Sequence, residues 1–189
     1  MRLGAVLRKL RSENHVTFPA RTLFTAQEEQ QVLATIRSRW SRNSLVAKML
    51  LCQRYYDGPK AREISKLVDE RLGAGLRASV RPDLALKEVA VRAYVGSQKN
   101  AGMVHTDRGY LVFVYAFGNV GTIVCHTNKR GTPYTTNVRR DHCIILSGRL
   151  RYQIDRIEPL VHRSPASRGK RFVLIAAFAP SIIRKAKRK

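Results

Sequence analysis

The chain has 189 residues, 44% of them apolar. That suffices for one globular domain with its own core, and no apolar run approaches the ~20 residues of a membrane-crossing helix. Its charge is extreme, 36 Lys and Arg against 13 Asp and Glu, net +23. Such an excess opposes compaction unless a polyanion neutralises it, so the partner to expect first is nucleic acid, RNA ahead of DNA, with an anionic membrane surface second.

The charge is uneven: residues 1–86 carry net +8 and residues 87–189 carry net +15. Three cysteines (Cys52, Cys125 and Cys143) with no C-x-x-C pair argue for an intracellular chain with reduced thiols. The first twelve residues, M-R-L-G-A-V-L-R-K-L-R-S, lack acids and place Leu3, Val6, Leu7 and Leu10 at helical spacing. That pattern resembles a mitochondrial presequence and suits equally a basic helix lying on RNA. The final R-K-A-K-R-K suits a nucleic-acid tail or a nuclear signal, so mitochondrion and nucleus both stay open.

In chain order, residues 1–24 read as a basic N-terminal segment, 25–86 as a helical part, 87–180 as a β-rich part and 181–189 as a basic tail, with 25–180 forming one compact domain. Thr25-Ala-Gln-Glu28 is a capping box, and it should open a helix running to about Trp40. Asn43 can cap a second helix over Leu45–Tyr56, Asp57-Gly58-Pro59 is a turn, and a third helix spans Lys60–Leu72 with Gly73 as its stop. Residues 73–83 read as a loop. The period then changes to that of strands, at Lys87–Tyr94, Met103–Asp107, Tyr110–Phe117, Gly121–Thr127, Thr135–Arg139, His142–Ser147, Pro159–Arg163 and Lys170–Phe178. So many short strands in so few residues predict an α+β fold, N-terminal helices packed on a jelly-roll barrel.

The chemistry concentrates at G-M-V-H-T-D-R-G, residues 102–109. Side chains two apart on a strand share a face, so His105 and Asp107 point together. An imidazole and a carboxylate suit a divalent metal, and one more His completes the facial triad of non-haem iron sites. His162 lies 55 residues after Asp107, and Arg171 follows nine residues later at the start of an otherwise apolar strand. A guanidinium there matches a carboxylate bidentately. Taken singly, His105–Asp107 is an ordinary surface pair, His162 a hydrogen-bonded His, Arg171 a phosphate contact and Tyr94 barrel filling. Cys125-His126 and His142-Cys143 suggest zinc but lack structural-zinc spacing.

The order His-x-Asp, His, Arg resembles the Fe(II)/2-oxoglutarate-dependent oxygenases over roughly residues 87–178. The resemblance implies a double-stranded β-helix, with His105, Asp107 and His162 holding Fe(II), Arg171 gripping the far carboxylate of 2-oxoglutarate and Tyr94 hydrogen-bonding that cosubstrate. Within the family the AlkB branch of nucleic-acid demethylases is the nearest look-alike, through A-F-G at Ala116–Gly118 and S-G-R-L-R-Y at Ser147–Tyr152. In the AlkB register the second His would fall on Arg156, an Asn on Arg92 and a further Arg on Ala177. In the other register His162 completes the triad, with the spacing of prolyl-hydroxylase-like and some demethylase-like relatives. The arginine-rich stretches, with Arg139, Arg140, Arg149, Arg151, Arg156, Arg163, Arg168 and Lys170, read as a phosphate-binding face.

Two functions follow. One is an Fe(II)/2-oxoglutarate dioxygenase acting on nucleic acid by oxidative demethylation or hydroxylation. The other is a non-catalytic jelly-roll or oxygenase-like module that binds RNA, as in a ribonucleoprotein particle such as a mitochondrial ribosome, or a capsid-like protein.

Overall fold

The structure, a computed structural model, describes residues 2–38, 52–55, 59–94, 103–117, 121–166 and 171–181. Its strands are β1 (His15–Pro19), β2 (Cys52–Tyr55), β3 (Leu84–Tyr94), β4 (Leu111–Ala116), β5 (Val124–Lys129), β6 (Thr132–Asn137), β7 (His142–Ser147), β8 (Val161–Arg163) and β9 (Arg171–Pro180). The larger sheet runs β1-β7-β4-β9-β3-β2 and the smaller β6-β5-β8, every pairing antiparallel.

Strand alternation sorts the apolar side chains into two layers. From β4, Leu111, Phe113 and Tyr115 join the helix-side core, while Val112, Val114 and Ala116 join a second cluster with Cys125 of the smaller sheet and with Ile123 and Leu160 just outside its strands. Every residue of β4 is buried, which is why L-V-F-V-Y-A reads as a continuous apolar run rather than an alternating one.

The N-terminal stretch is packed into the same core as the rest. In α1 (Leu3–Arg8) and the turn after it, Leu7 and Leu10 are fully buried, each contributing roughly 1.5–3 kcal/mol. β1 then lies along β7 as an edge strand. The apolar face that resembles a targeting helix therefore packs inside the domain.

α2 (Ala26–Ser38) opens on the expected capping box: the Thr25 N–H donates to Glu28 Oε2 at 2.8 Å and the Glu28 N–H to Thr25 Oγ1 at 3.2 Å. The expected helix over Leu45–Tyr56 lies largely outside the described residues, and its end is not helical. Cys52–Tyr55 pairs with β3 as a strand, because a neighbouring edge offers backbone partners that local helix propensity cannot foresee.

Gly73 does not stop the third helix. α3 (Pro59–Val68) passes through a π-helical turn at Asp69–Gly73 into α4 (Ala74–Ser79). Continuation keeps Val68, Leu72 and Leu76 in the core, and an Asp69–Arg77 ion pair at 2.8 Å spans the widened turn. Gly73 is helical (φ −60°), and its missing Cβ is what admits Asp69, whose Oδ1 lies 2.1 Å from where that carbon would sit. The predicted loop over 73–83 is thus mostly helix.

Candidate metal centre

Met103–Asp107 does not form the predicted strand; a single antiparallel bridge joins His105 to His162 in β8. Each residue's N–H donates to the other's carbonyl at 2.9 Å, and their rings lie 4.4 Å apart. Nδ1 of His105 is 2.9 Å from the Met103 carbonyl, and Nδ1 of His162 is 3.1 Å from the Leu160 carbonyl. A carbonyl only accepts, so both Nδ1 atoms donate, and in the neutral imidazole each Nε2 then keeps its lone pair.

Those lone pairs converge on Asp107. His105 Nε2 is 4.0 Å from Asp107 Oδ1 and His162 Nε2 is 3.6 Å from Asp107 Oδ2, too long for hydrogen bonds. All the ligand atoms lie within 4.8 Å of one another. Acceptors facing one another across a gap call for a cation between them, and two imidazoles with a carboxylate suit a non-haem iron-type ion. His162 is 4% exposed, whereas His105 stands open, so the centre is sealed on one side. Burial holds the His162 imidazole below its ordinary pKa, outweighing its hydrogen bond to Leu160 and the nearby Asp107 carboxylate.

Asp107 is held from behind by the start of α5 (Arg149–Asp155). The Arg149 N–H donates to the Asp107 carbonyl at 2.8 Å, Leu150 to those of Arg108 and Gly109 at 3.3 Å, and Gly148 to that of Tyr110 at 3.2 Å. Gly148 makes this approach possible: a Cβ there would lie 2.2 Å from the Gly109 carbonyl oxygen and 2.9 Å from that of Asp107. In sequence Gly148 enters only as part of S-G-R-L-R-Y, and the clash that gives it its role exists only once loop and helix meet.

Arg171 opens β9, 1% exposed, on the barrel-facing side with Val173 and Ile175, and its Nη1 donates to the Pro165 carbonyl at 3.1 Å. The Tyr94 backbone stands opposite Arg171 across the β3–β9 ladder. The AlkB register fails on geometry: Arg156 sits in the left-handed region (φ 62°) capping α5, exposed, its guanidinium 5.9 Å from the Tyr152 ring.

Among the arginines of the expected phosphate face, Arg139, Arg140, Arg149 and Arg156 are exposed and Arg163 is half-buried. Arg151 is a correction: it is 1% exposed and donates to Ser147 Oγ at 2.7 Å, because helical periodicity turns it inward while Arg149 and Tyr152 face solvent. Arg168 and Lys170 lie outside the described residues. The zinc alternative dissolves, since Cys143 belongs to the helix-side core and Cys125 to the layer between the sheets; burial raises both thiols, Cys125 to about 11.

No protein-family model matches this chain, and no curated protein does. Solved structures match its fold. The rice dioxygenase for auxin oxidation aligns with a TM-score of 0.66 at 15% identity, over 94% of this chain and 78% of that one. An oxidoreductase of the 2OG-Fe(II) oxygenase family from Burkholderia pseudomallei gives 0.64 at 15%, over 93% and 88%. A prolyl hydroxylase from Trichoplax adhaerens, in complex with a hypoxia inducible factor peptide fragment, gives 0.64 at 14%, over 94% and 89%. The fold is the double-stranded β-helix of 2-oxoglutarate- and Fe(II)-dependent oxygenases, with helices packed on its larger sheet.

Proposed function

We propose that this protein is an Fe(II)- and 2-oxoglutarate-dependent dioxygenase acting on nucleic acid, RNA in the first instance. The observation that carries the metal is the pair of tied Nδ1 atoms, which aim two lone pairs and a carboxylate at one point. His105, Asp107 and His162 would hold the ion. Arg171, buried at the barrel-facing start of β9, would bind the far carboxylate of 2-oxoglutarate, with Tyr94 opposite it in the ladder. Ion and cosubstrate together supply the oxidation of a substrate C–H bond by O2.

The nucleic-acid substrate rests on charge: +23 overall, with Arg139, Arg140, Arg149 and Arg156 exposed. Arg149, whose N–H donates to the Asp107 carbonyl, would offer a phosphate contact beside the metal centre. Removal of an N-methyl group, as in the AlkB branch, is the narrower form of this reading, and a base within a duplex would first be flipped out. The basic ends and the free thiols of Cys125 and Cys143 suit a mitochondrial or nuclear protein.

The test is calorimetry on the anaerobic full chain. Mn(II) should bind at one equivalent, and 2-oxoglutarate should then bind in wild type but not in Arg171→Leu, with circular dichroism confirming that the variant is folded. Tight RNA binding without metal or cosubstrate would instead make the protein a non-catalytic RNA-binding scaffold.

A further inference from the structure

The hairpin of β5 and β6 leaves its outer strand bare. Every residue of β6 is exposed, and β6 ends the smaller sheet among the described strands. The charge around it is of one sign: residues 121–140 contain Lys129, Arg130, Arg139 and Arg140 and no acid. The next residue, Asp141, is already engaged, 2.8 Å from His142 Nδ1. Arg130 stands exposed in the turn, in the left-handed region (φ 53°), and Arg139 and Arg140 stand exposed beyond the other end of β6.

Register fixes which way this strand faces. Side chains directly opposite one another in a sheet share a face, and so do those two apart on a strand. Cys125 stands opposite His162 in β8 and opposite Thr136 in β6, and Thr127 stands opposite Tyr134. Thr132, Tyr134 and Thr136 therefore share the face of the smaller sheet that carries the His162 imidazole, which is turned to Asp107. Along that face His162 and Cys125 are 4% and 1% exposed, whereas Tyr134 is 43% exposed. The face begins inside the barrel and runs out into solvent. Two strand spacings across and two residues along put Tyr134 roughly 12 Å from His162.

Every nucleobase has a flat π-face, and proteins that hold single strands set aromatic rings among cations that track the backbone. Tyr134 is placed in that way, with arginines beyond both ends of its strand, threonines on either side on the same face, and no carboxylate in the hairpin to repel a phosphate. We infer that the Tyr134 ring is a stacking platform for an unpaired base close to the nucleotide that enters the metal centre, so that the substrate is single-stranded RNA. This inference rests on the nucleic-acid reading proposed above and adds to it the strandedness of the substrate and the residue that sets its register. A duplex keeps its bases stacked on one another and offers the ring none.

The experiment is fluorescence titration of the full chain with a short unstructured RNA and with the same ribose-phosphate chain lacking bases. Wild type should bind the RNA more tightly than the base-free chain. Tyr134→Ala should weaken RNA binding by about 5-fold or more, the loss of one stacked base. It should leave affinity for the base-free chain, and the slope of log affinity against log salt, unchanged. Tyr134→Trp, which keeps an aromatic face, should bind RNA at least as tightly as wild type. Arg130→Ala should instead weaken both ligands and lower the salt slope. A tyrosine that merely braces the hairpin against Thr127 would lower the unfolding midpoint of Tyr134→Ala and leave its RNA affinity at the wild-type value. That result overturns the inference while the nucleic-acid reading stands, as does equal wild-type affinity for RNA and the base-free chain. A wild type that binds no RNA at low salt overturns both, and would leave the bare edge of β6 to a peptide strand.

Discussion

His105 and His162 are locked as a reciprocal backbone pair, N–H to carbonyl at 2.9 Å in both directions, and each ring is turned by a carbonyl two residues before it. The imidazoles are thereby oriented before any ion arrives, so little rotamer freedom is lost on binding. Removing one ring should therefore be severe. His162→Ala should lower Mn(II) affinity by more than about 100-fold, since loss of merely a supporting partner costs 10–100-fold at metal sites. Calorimetry against wild type reads this directly; unchanged affinity would remove His162 from the centre.

Gly148 should be as sensitive as a ligand without being one. A methyl group there meets the Gly109 and Asp107 carbonyls at 2.2 and 2.9 Å, both backbone atoms that cannot swing aside. Gly148→Ala should destabilise the fold by roughly 1–3 kcal/mol, the usual cost of overpacking, and should weaken Mn(II) binding because Asp107 moves with its loop. Urea denaturation and metal titration measure the two effects separately. Lost stability with intact metal affinity would mean that the loop shifts without Asp107.

The capping box of α2 makes a prediction in pH. The Thr25 N–H, more than any other group, holds the Glu28 carboxyl below its ordinary value, with the Thr25 hydroxyl and Arg71 adding to the effect. A lowered carboxyl contributes stability that is present above its unfolded-state value and is lost as pH falls through the folded-state value. Thr25→Ala should cost about 1 kcal/mol at neutral pH; it keeps the N–H, so the pH-dependent part is read in Glu28→Gln, whose gap to wild type should narrow on acidification below the ordinary carboxylate range. Denaturation midpoints across pH check both the size and the sign.

Nucleic-acid binding should distinguish arginines that look alike in sequence. Arg149→Ala and Arg156→Ala, both exposed, should each reduce the slope of log affinity against log salt by about 0.7–0.9, the loss of one phosphate contact. Arg151→Lys should leave that slope unchanged, because the side chain is buried against Ser147. Fluorescence titration of a single-stranded RNA over a salt series gives all three slopes, and equal slopes for Arg149→Ala and wild type would take that residue off the interface.

How much of this was legible beforehand depends on the range of the interaction. The capping box, the apolar run of β4 and the strand of His142–Ser147 are written within a few residues, where spacing and side-chain type already dictate the outcome. Gly73 reads as a helix stop because a glycine signals freedom of φ and says nothing of space, and here the space is for Asp69. Arg151 reads as surface because charge outranks periodicity in a bare sequence.

The chain by itself determined the class of fold, the charge, and a short set of residues able to hold a metal, since these follow from composition and local period. Only the tertiary structure decided which residue meets His105 and Asp107. Arg156 and His162 are six positions apart and both admissible by spacing. The helix of Arg149–Asp155 ends at Arg156 in a left-handed turn, and the chain then returns as β8 beside the His105 segment. That choice belongs to a backbone bridge between segments 57 residues apart, and an interaction of such range leaves no mark in local sequence.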